Sequence, residues 1–299
     1  MSSFVAKIAK ALTNPALAIN YCKSMFLQRF GSKEFVAKKE NRSESDQGLY
    51  VAFVQRAVRH NKVFENFKRH PSYQAILEHV TKEDGKKYLE IIRAQSPQLL
   101  NLMEKFKEND LIGNPIKHSY PQTGKISPTT LRYIKVTSDL QRYFKDNIGE
   151  KIVEVGVGYG GQLLINDSVF KIQEYYLYDL PPVLNLVCKY LEGFILNCSY
   201  KITTLNQSSG NDSFDLAISN YAFSELPSQV QRMYIKKILA KSSKGYLTMN
   251  SGKENTAFTN KHLSMNELRE LLPPFIIFDE NPITSPNNYV IICGHSVNP

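Results

Sequence analysis

The sequence predicts an α/β protein: a mostly parallel, Rossmann-like sheet with helices on both faces, preceded by a helical N-terminal region. Three observations carry that expectation. A β-branched run ends in closely spaced glycines at Lys151-Ile152-Val153-Glu154-Val155-Gly156-Val157-Gly158-Tyr159-Gly160-Gly161. From there on, short apolar runs alternate with helical patterns, as in strands joined by crossover helices. Before it, apolar residues recur every three or four positions, as on the buried faces of helices. The division falls at residues 1–147, a helical region or cap, and 148–299, the sheet domain.

The N-terminal region carries several such faces. Phe4, Ile8 and Leu12 share helical spacing, with Lys7 and Lys10 between them. That suits a helix packed on its own domain, or one lying on an anionic membrane surface. Asn41–Gln47 reads as a polar surface loop. Val51, Val54 and Val58 form a second face, and Leu99, Leu102, Met103 and Phe106 a third. A fourth, Tyr133, Val136, Leu140 and Phe144, leads directly into the glycine-rich strand. Gly113–Pro128 is rich in Gly and Pro and reads as a long irregular loop, the kind that forms lids.

In the second half, strands are expected at Lys151–Val155, Tyr175–Tyr178, Tyr200–Leu205, Phe214–Ser219 and Gly245–Met249. Pro181-Pro182 opens a helix running to about Leu191, with Gly193 as its stop. Val230, Met233, Tyr234 and Ile238 mark another helix. Ser264-Met265-Asn266-Glu267 is a capping box, and its helix stops before Pro273-Pro274. Phe275–Phe278 and Tyr289–Cys293 have no helix between them, so they read as a terminal hairpin that turns one strand antiparallel.

The chain has 299 residues, 42% of them hydrophobic. No run approaches the ~18 apolar residues of a membrane span. Cys22, Cys188, Cys198 and Cys293 are scattered, with neither a CxxC pair nor zinc spacing, and read as reduced buried thiols. No metal site is expected. Together with a poor secretory signal, this suits a cytoplasmic protein, with peripheral contact at the inner face of the membrane as an option for its N-terminus. The net charge of +9 is uneven. Residues 1–150 hold 25 Lys+Arg and 15 Asp+Glu, so 25 − 15 = +10; residues 151–299 hold 12 and 13, so −1. A basic half favours an anionic partner: a phosphate-bearing substrate, a lipid surface or nucleic acid. The absence of RGG repeats and zinc knuckles argues against nucleic acid.

The glycine-rich turn fits two cofactors. Gly156, Gly158 and Gly161 match the dinucleotide pattern GxGxxG. Glu154, Gly156, Gly158 and Gly160 match (D/E)xGxGxG of S-adenosylmethionine (SAM) binders. A dinucleotide needs a good helix after the glycines for its pyrophosphate. Here the segment soon reaches Asn166-Asp167-Ser168. Asp179, 21 residues beyond Gly158 (179 − 158), suits a ribose in either case. Glu154, Phe214-Asp215-Leu216 at the fourth strand and the closing hairpin favour SAM; the last two resemble class I methyltransferases.

Four stretches in order carry a closer resemblance: Glu154–Gln162 (EVGVGYGGQ), Tyr176–Pro181 (YLYDLP), Ser219–Leu226 (SNYAFSEL) and Gly245–Asn250 (GYLTMN). They resemble the sugar O-methyltransferase family found among bacterial surface-glycan genes. Gly113-Asn114-Pro115 and Ser127–Lys135 (SPTTLRYIK) look like that family's segment before its core. The resemblance covers about residues 110–295. It implies a seven-stranded class I methyltransferase core and methyl transfer from SAM to a hydroxyl of a surface glycan or nucleotide-linked sugar. Cofactor contacts would come from Glu154, Gly156, Gly158, Tyr159, Gly160, Asp179, Leu180, Ser219 and Asn220. Glu225 is the leading candidate for a general base, with His262 and His118 behind it. Tyr221, Asn250, Arg132 and Tyr133 are candidates for acceptor binding, Arg132 and Tyr133 also for the SAM carboxylate. An RNA methyltransferase, a nicotinamide oxidoreductase and a non-catalytic subunit of a glycan complex remain as alternatives.

Overall fold

A computed structural model describes residues 49–145, 147–252 and 262–294. The expected N-terminal amphipathic helix, the Asn41–Gln47 loop and Cys22 lie outside the described residues.

Helix α1 spans Leu49–Arg59 and buries Tyr50, Phe53, Val54 and Ala57. Of the expected valine stripe, Val54 is fully buried at the centre of this face, while Val51 and Val58 flank it, half-buried, beside the Tyr50 and Phe53 rings. Single turns follow at Asn61–Phe64 and Pro71–Gln74. Helix α2, Lys82–Gln95, begins at a Thr81–Asp84 capping box and packs on α3. The expected helix over 99–106 is instead 3-10 structure at Pro97–Leu102, then one α-turn at Met103–Phe106. Leu99, Met103 and Phe106 still reach the core, so the apolar spacing holds while the backbone winds more tightly. Gly113–Pro128 is not one irregular loop: His118–Tyr120 (β1) and Gly124–Ile126 (β2) pair as an antiparallel hairpin. Helix α3, Pro128–Phe144, has Pro in its first turn and Ser127 as its cap. Asp110 fixes that start by accepting from the Ser127 backbone N–H at 2.6 Å and the Thr130 hydroxyl at 2.7 Å.

The sheet domain follows in order: β3 (Lys151–Val155), α4 (Gly161–Asp167), β4 (Glu174–Tyr178), α5 (Pro181–Leu191), β5 (Ser199–Thr203), β6 (Phe214–Asn220), α6 (Ser228–Lys237), β7 (Ser242–Met249), α7 (Met265–Leu271), β8 (Phe275–Asp279) and β9 (Tyr289–Cys293). The seven strands lie in the order β5-β4-β3-β6-β7-β9-β8. All run parallel except β9, which is antiparallel to both β7 and β8. This is the mostly parallel, Rossmann-like sheet with an antiparallel terminal hairpin that the sequence predicts.

Side-chain alternation divides the strands between two cores. Ile152, Leu177, Leu216, Ile218 and Ile292 point into the layer holding α1–α5. Val153, Val155, Ala217, Leu247 and Ile291 point into the layer under α6 and α7. Asp215 serves the bottom of the sheet, its Oδ2 accepting from the Glu150 and Lys151 N–H groups at 2.8 Å each. Cys188, Cys198 and Cys293 are buried free thiols. Among the described residues, no helix is long and apolar enough to cross a membrane.

Candidate functional site

The strand order reverses between β3 and β6: the chain lays β4 and β5 on one side of β3, then β6 on the other. In open α/β sheets a crevice forms at such a switch point, beyond the C-terminal strand ends. Here it is a cavity of about 580 Å³. Its floor is Val155, Gly156 and Gly158 after β3, Tyr178, Asp179 and Leu180 at β4, Asn220, Tyr221 and Ala222 at β6, and Asn250 after β7.

The glycines are dictated by space. Gly156 has φ +76°, and a Cβ there would lie 1.9 Å from the Ala222 Cβ. Gly158 has φ +56° and faces Leu77, which would lie 2.9 Å from an added Cβ. Asp179 ties the turn together: its Oδ2 accepts from the Val157 N–H at 2.8 Å, its Oδ1 from the Leu180 N–H at 2.7 Å. Gly160 is also left-handed, at φ +90°, but it packs toward Val187 and Leu191 and does not line the cavity.

Several expected contacts belong to the interior instead. Tyr159 is fully buried. Its ring packs edge-on to Tyr133 and Tyr190 and lies under the Lys68 ammonium at 4.0 Å. Tyr133 is likewise core. Ser219 is buried and structural, donating to the Val155 carbonyl at 2.9 Å and accepting from the Phe223 N–H at 3.1 Å. Glu154 points into the α1–α5 layer and accepts from the Tyr175 hydroxyl at 2.9 Å. Burial, opposed by that bond and reinforced by the Asp179 charge, pushes its carboxyl up to about 8.

Of the three candidate bases, one lines the cavity. Glu225 ends the single turn Ala222–Glu225, and its Oε1 accepts from the Asn250 Nδ2 at 3.0 Å. Asn250 is held by Ser224, whose hydroxyl lies 2.6 Å from its Oδ1 and accepts its backbone N–H at 3.2 Å. His262 places Nδ1 3.0 Å from the Leu226 carbonyl, outside the cavity. His118 sits on β1, also outside it. The Gly/Pro hairpin therefore supplies no lid side chain.

The walls come from segments with no motif. Tyr50, Ile76, Leu77, His79, Val80, Asp84 and Tyr88 form one side, and Thr284, Ser285 and Asn288 of the β8–β9 connection another. Arg132 of α3 lines the cavity, donates to the Leu77 carbonyl at 3.2 Å, and lies among Tyr133, Tyr88, Tyr221 and Glu78. No motif in the sequence marks residues 76–88; the placement of these side chains is set by tertiary packing.

No family model matches the chain, and no curated protein does either. Solved structures are similar to it at low identity. The methyltransferase domain of bacterial CtHen1 is 13% identical over 54% of this chain and 97% of that one, with a TM-score of 0.41. Magnesium protoporphyrin IX methyltransferase (ChlM) from Synechocystis PCC 6803 with bound SAH is 11% identical over 69% and 98%, with a TM-score of 0.40. The N-terminal domain of EvdMO1 in the presence of SAH and D-fucose is 11% identical over 64% and 94%, with a TM-score of 0.40.

Proposed function

We propose that the protein transfers a methyl group from SAM to a hydroxyl of a sugar. One observation carries the choice of cofactor. The helix after the glycine turn, α4, is buried along its whole length, and Tyr159 and Tyr133 crowd Gly161 at its start. Its N-terminus is thus closed to a pyrophosphate, which a nicotinamide cofactor would seat there. The open part of the turn is Gly156 and Gly158 beside Asp179, which suits an adenosine-bearing cofactor without phosphates.

SAM, when bound, supplies an electrophilic methyl group on its sulfonium. The chain's own residues supply position and proton transfer. A carboxylate presents about four acceptor sites. Asp179 can therefore take ribose hydroxyls besides its two backbone donors. Gly156 and Gly158 allow close approach of the ligand to the backbone. Glu225, oriented by Asn250, takes the proton from the attacking hydroxyl, a poor nucleophile until deprotonated. The sugar acceptor is supported by the resemblance of Ser219–Leu226 and by the hydroxyl and amide groups of Thr284, Ser285 and Asn288 on the wall.

Calorimetry with S-adenosylhomocysteine (SAH) tests the cofactor. Binding is expected, with Asp179→Ala weakening it about tenfold or more. No heat with SAH, or saturable binding of NADH in its place, would overturn the reading. A steep salt dependence of binding to mixed RNA would favour a nucleic-acid acceptor.

A further inference from the structure

One wall of the cavity has an organising residue that does not itself line it. Glu280 follows β8 and is 5% exposed. Its Oε1 accepts from the Tyr221 hydroxyl. Its Oε2 accepts from the Thr284 N–H at 2.9 Å, the Thr284 hydroxyl at 2.5 Å and the Asn288 Nδ2 at 3.0 Å. Tyr221, Thr284 and Asn288 all line the cavity, yet they come from two separate elements. Tyr221 is also held at φ +66°, a conformation a side chain adopts at a cost and keeps only where the surroundings impose it. One buried carboxylate thus gathers the wall that faces Tyr88.

The charge of this chamber is also informative. Its lining holds three carboxylates, Asp84, Asp179 and Glu225, against one guanidinium, Arg132. His79 adds no positive charge at neutral pH: desolvation and the Arg132 charge lower its imidazole from its ordinary value. Glu280 adds a fourth carboxylate directly behind the wall. The basic excess of residues 1–150 is therefore not gathered here. Arg132, the one lining guanidinium, is also the candidate for the SAM carboxylate, so no second lining Lys or Arg is left to receive a phosphate or carboxylate on the acceptor, which would face Glu225 and Asp84 instead. An uncharged ring meets aromatic faces, hydroxyls and amides.

We propose that the acceptor is an uncharged sugar ring, seated beside Tyr88 and Tyr221 against Thr284 and Asn288, on a wall that the positioning residue Glu280 assembles. This rests on the methyltransferase reading above. Any phosphate of a carrier then lies outside the cavity.

The test uses the whole chain, methyl-tritiated SAM and matched acceptors: methyl glycosides of neutral hexoses and 6-deoxyhexoses, each beside its sugar phosphate and uronic acid. Transfer to a neutral member is expected, with kcat/KM about tenfold or more above its anionic counterparts. Transfer favouring the anionic members overturns the proposal, as does transfer to none while SAH binds. Failure of SAH binding sinks the methyltransferase reading instead. Glu280→Gln should raise the acceptor KM about tenfold, with kcat within about threefold and SAH affinity unchanged. Thr284→Val, which leaves Tyr221 and Asn288 on Glu280, should give a smaller shift of the same kind. An unchanged acceptor KM in both variants, or lost SAH affinity in a folded Thr284→Val protein, overturns the role of the wall.

Discussion

Gly156 shows how much a single residue constrains the site. Gly156→Ala meets two penalties: a left-handed backbone, about 1–2 kcal/mol, and overlap with the Ala222 methyl, about 1–3 kcal/mol. Urea unfolding should show a loss of about 2–5 kcal/mol, and adding Ala222→Gly should recover the steric part. No recovery would mean that the overlap is relieved some other way. Glu154 gives a pH test. Its folded value near 8 stands above its ordinary 4.5, so between those values the folded chain keeps a proton that the unfolded chain has released. Stability from this group is therefore full below pH 4.5 and declines as pH rises to about 8, by up to about 1.4 kcal/mol per pH unit. Glu154→Gln removes that slope, so the wild-type-minus-variant stability should fall from pH 5 to 8. Parallel pH curves would refute the buried-acid assignment. Gly156, Gly158 and Asp179, singled out in the sequence, do line the cavity, because their types are set by local geometry. The sequence did not tell Tyr159 or Ser219 from site residues, because which way such a side chain turns is fixed by partners distant in sequence, here the Val155 carbonyl on the neighbouring strand for Ser219 and the Lys68 ammonium for Tyr159.

At the scale of elements, legibility follows the locality of the forces. The sheet strands were readable from their apolar runs, and the two-core alternation follows from the pleat. The starts of strands were less so: β7 begins at Ser242, three residues before the first glycine of its apolar run, because Phe214 pairs with that polar residue. The cap-side wall was unreadable because its turns are held by contacts far along the chain. Lys189 of α5 is an example. Its ammonium donates to the Val58 carbonyl at 2.7 Å and the Asn61 Oδ1 at 3.0 Å, and lies 4.6 Å from the Phe64 ring centre. It thus closes the C-terminal end of α1, where carbonyls have no helical partner. Lys189→Met keeps the stem packed and removes the donors. Hydrogen exchange across residues 49–59 should rise about tenfold, and SAH should dissociate faster, since Tyr50 of α1 lines the cavity. Exchange unchanged in α1 would show that its apolar face alone holds it.

For the whole molecule, the cavity is assembled from residues as distant in sequence as Tyr50 and Asn288, and both hydrophobic cores contribute to its floor. Tyr178 and Val155 reach it from one core, Leu77 and Leu180 from the edge of the other. A ligand bound there makes contact with nearly every layer at once, so it should stabilise the fold as a unit and not one lobe of it. Binding to the folded state alone adds RT ln(1 + [L]/Kd), about 2.7 kcal/mol at a hundredfold excess over Kd. For a chain of this size that corresponds to a rise in Tm of roughly 2–4 °C per kcal/mol, an increase well within the reach of calorimetry. SAH should therefore move a single unfolding transition upward with its shape preserved, and NADH at equal concentration should leave it in place. A transition that splits on adding SAH, with one part unmoved, would show that the cap-side helices and the sheet unfold separately. The walls built from Tyr50 and Leu77 would then contribute little to holding the cofactor, and Gly158 would meet Leu77 only as a loosely docked neighbour.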